Sequence, residues 1–380
     1  MFIRHGSRSA KEKETDLFKK LPTIRNKMVE KISNSKEKCP LSKQNWENLK
    51  KWQWNATYDQ DRMLTKNGKK ELQTVARNYK ERFQHLFKGP YDKDHFNVLC
   101  ANTPRTIESS SVFLDSIIGE AARKAIQNVA DDDGEDIIKA YKDVDFNDKN
   151  KKIDDDPNSE SNRFLRLPVY TNIIKRVSKE FYFDVEDDKT KAERVKSMYD
   201  LCRYEQSWDI DGKSVWCSIF SKKELEVLEY SKDLKAFYTE GPSGNELNYN
   251  VHCLSVIDMM KHLSVPSGPK VTAYFSHSPA LLSHLTAMGA YKQEPKLTAN
   301  NYEAMSKRIW KTSTFSPMAA NFVGVLYNNN TVKFFLNEEE MPLPGCKNNL
   351  CDLAHLKKQF DHCKPQPKKP KRVKQPKQKK

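Results

Sequence analysis

The chain opens on three apolar residues, Met1-Phe2-Ile3, that run straight into Arg4-His5-Gly6-Ser7-Arg8. This junction constrains the fold more than any other stretch. A short apolar run that stops at a charged turn reads as the end of a buried strand, and α/β proteins hold their ligands at strand ends. Two guanidiniums and an imidazole within five residues repel one another unless an anion lies among them. The turn therefore asks for a phosphate. A solvated basic loop is the competing reading, and two further junctions weigh against it.

The first is Phe96 to Cys100, a short buried strand followed by a loop carrying Arg105 and a helix to about Ile118. The second is Lys270 to His277, a strand that ends on His277 and leads into a helix over 279–288. Three strand ends thus deliver Arg4, His5, Arg8, Arg105 and His277, which can converge at one edge of a single sheet. From Leu64 to Phe87 the residues Leu72, Val75, Ala76, Tyr79, Phe83 and Leu86 fall at helical spacing, with Thr65 as cap. Asn321 to Tyr327 and Val332 to Leu336 read as a hairpin. Ser221 and Glu224 form a capping box for a helix to about Glu240, and another helix runs from about Val251 to His262. Asp131 to Glu160 is too polar to bury much and reads as a surface excursion. The expected fold is an α/β sheet flanked by helices, built from 1–118 and 265–363, with a mostly helical cap inserted at 119–264. Residues 364–380 form an extended basic tail.

At 380 residues, 37% hydrophobic and 31% charged, the chain has a sizeable core and no apolar run long enough to span a bilayer. Its net charge of +15 comes largely from Lys364 to Lys380, which holds nine Lys/Arg and no acid; the body carries about +6 (15 minus 9). The tail reads as an electrostatic arm for polyanions, without a recognition fold. Eight cysteines without a C-x-x-C pair point to disulfides in an oxidising compartment, with Cys202–Cys217 and Cys346–Cys351 close enough in sequence to pair locally. Sequons at Asn55 and Asn329 agree with secretion. Because Met1 stands directly before a strand end, we read a mature, extracellular, monomeric chain whose leader has been removed. The remaining histidines lack metal-ligand spacing, and neither a metal nor another cofactor is expected. Trp52 and Trp54 line a pocket or simply pack.

R-H-G-x-R, then a strand-loop Arg, then a strand-end His followed by a helix, resembles the histidine acid phosphatases. Trp216-Cys217, Val227-Leu228-Glu229-Tyr230, Asp233-Leu234-Lys235, Leu285 to Tyr302, Leu336-Asn337-Glu338 and Pro342-Leu343 resemble the multiple inositol polyphosphate phosphatase branch. The resemblance covers nearly the whole chain to about Phe360. It implies that His5 is the nucleophile and that Arg4, Arg8, Arg105 and His277 hold the phosphoryl oxygens. It also implies a carboxylic acid one or two residues after the second His, where the family has His-Asp or His-Ala-Glu. Here Ser278 and Pro279 stand at both positions. They cannot protonate an alkoxide, although Ser278 as N-cap and Pro279 at the first helical position start a helix well.

A retained anion pocket without its acid is similar to the acid-phosphatase-like salivary proteins of blood-feeding fleas. That likeness implies an inactive scavenger that binds biogenic amines such as serotonin, and leukotrienes, around Arg4, Arg8, Arg105, His277 and Ser278. A leukotriene carboxylate would suit the arginines. The alternative is an active acid phosphomonoesterase that hydrolyses inositol polyphosphates or other esters through a phosphohistidine at His5. A third reading is an anchor that works through Lys364 to Lys380.

Overall fold

The computed structural model describes residues 1–88, 91, 94–131, 136–265 and 267–363. The expected basic tail from Lys364 to Lys380 lies outside the described residues, as does part of the acidic run after Asp131. Among the described residues, eight strands form one sheet. Its parallel half comprises β1 (Phe2–Arg4), β2 (Phe96–Cys100), β3 (Gln127–Val129) and β4 (Val271–Ser276). The hairpin of β5 (Asn321–Leu326) and β6 (Thr331–Leu336) continues it antiparallel, and β7 (Glu339–Glu340) and β8 (Leu350–Asp352) flank β6. The order across the sheet is β3-β2-β4-β1-β5-β6-β7, with β8 paired to β6. β3 lies within the stretch 119–264 read from the sequence as a cap.

Helices cover both faces. Lys66–Arg82 starts on the Thr65 side chain, which accepts from Gly68 N, and buries Leu72, Val75, Ala76 and Tyr79. Its amphipathic pattern continues past Phe83, but the backbone there leaves the helical region and a short 3₁₀ turn, Gln84–Phe87, completes the segment. Pro104–Ile118 packs beside it over the parallel strands. On the opposite face the central helices share one core cluster with residues near the amino end, including Phe18, Leu21 and Leu49. Trp52 and Trp54 are packed there: Trp52 stands edge-on to Trp216 and donates to Glu205, and Trp54 packs against Phe18 and Trp208. The Ser221–Glu224 capping box opens Lys222–Thr239 as the sequence predicts.

Disulfides join Cys202 to Cys217 and Cys346 to Cys351, and a third ties Cys253 to Cys363 across 110 residues. Cys39 and Cys100 are free, so the even count does not translate into four bridges. Cys100 sits on β2 and its thiol faces the Asn128 carbonyl, away from any other sulfur. Cys253, His362 and Cys363 come within metal-ligand reach of one another, but both sulfurs are bonded in the disulfide. No described helix is long and apolar enough to cross a membrane.

Candidate active site

Strand register brings the two histidines together. Arg4 is paired with Ser276 across β1 and β4, and Cys100 with Phe275 across β2 and β4, so the three strands end level. His5 N donates to Ser276 O at 3.1 Å and Ala101 N to Phe275 O at 2.9 Å. The rings of His5 and His277 then lie 5.4 Å apart, and both residues are buried. Arg105 swings over from the first turn of the helix after β2 to place a guanidinium nitrogen 3.2 Å from His277 Nδ1. Arg4, the last residue of β1, and Arg8, in the turn after it, complete the group. All five predicted anion-holding residues are at one edge of the sheet, where the crossover pattern reverses direction.

The turn after β1 is fixed by contacts that no local pattern announces. Gly6 lies so close to the helix Lys66–Arg82 that a Cβ on it would sit 2.4 Å from Gly68 O; a Cβ on Gly68 would sit 2.2 Å from Ser7 O. Only two glycines permit this approach. Glu71, on the same helix, accepts from Ser7 N and Ser7 Oγ, each at 2.7 Å. Thr65 N and Thr65 Oγ1 both donate to Ser7 O, and Trp208 Nε1 donates to Arg8 O at 2.8 Å. Arg8 also faces the Tyr204 ring at 5.8 Å. Gly68, Glu71, Tyr204 and Trp208 escape sequence reasoning because they reach the motif only through tertiary packing. The single hint is the small residue Gly68 inside an otherwise good helix.

Hydrogen bonds set the two imidazoles in opposite tautomers. His5 Nδ1 lies 2.8 Å from Gly6 O, a carbonyl that can only accept, so Nδ1 carries the proton and Nε2 carries the lone pair. His277 Nδ1 faces a guanidinium that can only donate, so there the lone pair is on Nδ1 and the proton on Nε2. Burial first, then the Arg4 guanidinium, holds His5 well below its ordinary range. Burial and then Arg105, Lys139, Arg4 and Lys142 push His277 down to about 2. Both rings are therefore neutral at physiological pH, one with its lone pair and the other with its proton on Nε2.

The arginines are stressed in the same sense. Burial, then the neighbouring Arg8, lowers Arg4 to about 10, and burial, then Arg8 and Arg62, lowers Arg105 to about 10. Arg4 Nε and Arg105 Nε are buried with no acceptor among the described residues. Arg4 is also anchored to Ser316 O, and Ser316 Oγ donates to Ser278 Oγ at 2.9 Å. The helix after β4 runs Ser278–Ala287 with His277 as its N-cap. The start falls one residue earlier than the sequence reading, which made Ser278 the cap, because His277 itself keeps the extended backbone of the strand. Neither Ser278 nor Pro279 brings a carboxyl to the site.

Residues 1–337 match the histidine phosphatase superfamily (branch 2). The multiple inositol polyphosphate phosphatase 1 of Drosophila melanogaster is 30% identical over 377 residues, 95% of this chain and 78% of that protein. The Homo sapiens protein of the same name is 29% identical over 216 residues, 52% of this chain and 43% of its own length. Among solved structures, the phytase from D. castellii has a TM-score of 0.73 at 15% identity, covering 95% of this chain and 78% of that one. The Bifidobacterium longum multiple inositol polyphosphate phosphatase, solved with inositol hexasulfate, has a TM-score of 0.68 at 15% identity, covering 94% and 90%. At such identities the solved structures speak for the fold.

Proposed function

The chain belongs to the histidine phosphatase superfamily (branch 2), and from that premise we propose that it is a phosphomonoesterase whose phosphoryl acceptor is His5. The observation that carries the reading is the pair of opposite tautomers. A neutral His5 presents Nε2 as nucleophile, and a neutral His277 presents Nε2–H as a donor to a phosphoryl oxygen. Arg4, Arg8 and Arg105 supply the positive field that offsets charge building on the equatorial oxygens. An anion also gives the buried Nε–H groups of Arg4 and Arg105 the acceptor they lack. The names of the related proteins favour inositol polyphosphates as the substrate class. Three disulfides support an oxidising, extracellular compartment.

With no carboxyl at 278 or 279, an ester that leaves without protonation is the better substrate. Phosphate release from 4-nitrophenyl phosphate and from phytate tests the proposal. We expect both to be hydrolysed, the aryl ester faster, and His5→Ala to abolish both; a chain that releases phosphate from neither refutes it. Capture of an amine in this basin is disfavoured, because Arg4, Arg105, Lys139 and Lys142 all repel an ammonium, and Glu71 is engaged by Ser7. A leukotriene carboxylate meets the guanidiniums on the same terms as phosphate. Calorimetric titration with serotonin and a cysteinyl leukotriene separates the cases, and serotonin heat that phosphate competes away would overturn the electrostatic argument.

A further inference from the structure

The sequon Asn329-Asn330-Thr331 occupies the tight turn that joins β5 to β6. Tyr327 N donates to Thr331 O at 2.8 Å, Asn330 N donates to Tyr327 O at 3.0 Å, and Asn330 takes the left-handed backbone with φ of 59°. A type I turn closed by one left-handed residue has this pattern, and it sets Tyr327 across from Thr331 with both side chains on one face of the hairpin. Asn329 is drawn to the same face, because its Oδ1 accepts from Thr331 N at 3.2 Å and from Thr331 Oγ1 at 2.7 Å. The side chain is exposed, and its Nδ2 has no partner among the described residues.

Apolar surface is gathered around this acceptor. Tyr327 is 38% exposed, and Leu326 and Leu350 are exposed beside it. Together with His85, Asn329 and Thr331 they line an open groove of about 480 Å³. Such a groove is a seat for a sugar, since the weakly positive C–H groups on one face of a pyranose pack on the negative face of an aromatic ring. The other sequon has no such seat: Gln53 stands two residues before Asn55, and the adjacent Trp54 is spent against Phe18 and Trp208. The turn lies at the opposite end of β5 from Asn321, which pairs with Ile3 next to the anion site, so the groove is separate from the phosphoryl chemistry.

From the aromatic ring, the amide and the hydroxyl that this turn sets on one face, we infer that Asn329 is N-glycosylated and that its first N-acetylglucosamine stacks on Tyr327 and fills the groove toward Leu326 and Leu350. The inference rests on the extracellular reading above and is independent of the phosphoryl-transfer reading. The donor is an oligosaccharide linked to a lipid through pyrophosphate. A bond forms from Asn329 Nδ2 to C1 of the sugar next to the pyrophosphate, the bond from C1 to the pyrophosphate oxygen breaks, the lipid pyrophosphate leaves as its anion, and one amide proton passes to solvent. Thr331 serves twice, as the hydroxyl that the sequon requires and as the residue that holds Asn329 beside the Tyr327 ring. The attached sugar then gives a hydrated cover to apolar surface at the end of the sheet.

The test secretes the full chain from insect cells behind a leader peptide and maps its tryptic peptides by mass spectrometry before and after peptide-N-glycosidase treatment. Glycan is expected on the peptide that holds Asn329, retained in Thr331→Ser and lost in Thr331→Ala. An unmodified Asn329 in the secreted protein overturns the inference, whatever the state of Asn55. The seat is read from the rate at which the glycosidase releases the Asn329 glycan from folded protein, with denatured protein as the common reference. Tyr327→Ser leaves the sequon intact and is expected to speed that release by on the order of 2- to 10-fold, the loss of one aromatic contact. Equal rates in the parent chain and Tyr327→Ser overturn the stacking. Phosphate release from 4-nitrophenyl phosphate by the same preparation reports separately on the phosphoryl-transfer reading.

Discussion

Lowering the pH should weaken this fold through two histidines that have no part in the chemistry. His252 and His284 are completely enclosed; their Nδ1 atoms share the Ser255 hydroxyl, and their Nε2 atoms have no partner among the described residues. Phe2 and Phe322 pack against the His284 ring, and Tyr141 stacks on His252. Burial pushes each imidazole down to about 3. A folded-state value below the unfolded one means that the unfolded chain binds more protons, so stability is intact above about pH 6.5 and falls as the pH drops below it. At pH 5.5 each histidine costs about 1.4 kcal/mol, and the pair about 2.8 kcal/mol. Urea unfolding at pH 8 and pH 5.5, in the parent chain and in His252→Gln/His284→Gln, isolates this contribution, since every other titrating group is common to both proteins. The variant is expected to be less stable at pH 8 but to lose about 2.8 kcal/mol less on acidification. Equal pH dependence in the two proteins would refute the reasoning.

Restoring a carboxyl offers a check on the chemistry: Pro279→Glu should raise alkyl phosphate turnover by on the order of 10²–10⁴, measured as phosphate release, with little effect on an aryl ester. Gly68→Ala drives a methyl group into Ser7 O and Ser7 N. It should cost roughly 1–3 kcal/mol in urea unfolding and weaken phosphate binding, because the Ser7 contacts to Glu71 shift with it. Opening the Cys253–Cys363 bridge, which closes 110 residues, should cost about 5 kcal/mol by the loop-entropy relation, against about 2 kcal/mol for Cys346–Cys351, which closes 5. Thermal unfolding of the two double-serine variants ranks them, and the reverse order would contradict the loop argument.

The sequence makes legible whatever short-range physics decides. An apolar run halted by a charged turn marks β1, β2 and β4; Thr65 and the Ser221–Glu224 box mark helix starts; cysteines 15 and 5 residues apart find each other. Convergence of Arg4, His5, Arg8, Arg105 and His277 follows once those strands share a sheet. What stays hidden depends on contacts between distant segments. Nothing near Gly6 says that Gly68 must also be a glycine, and nothing near His277 says that the Tyr141 ring will stand edge-on to it. Cys253 and Cys363 look like any other two of eight. His252 and His284 read as ordinary histidines because burial, which sets their protonation, is a property of the folded core.

The level ending of β1, β2 and β4 carries a consequence for the molecule as a whole. An anion held by Arg4, Arg105 and His277 touches segments that lie more than 270 residues apart in the chain, and so acts as a removable cross-link across the middle of the sheet. Only the folded state has the site, so occupancy at 100 times the dissociation constant adds about 2.7 kcal/mol to stability. Phosphate, substrate or product would then set how long the protein survives as well as what it does, and a chain starved of anions would be the form that proteases find first.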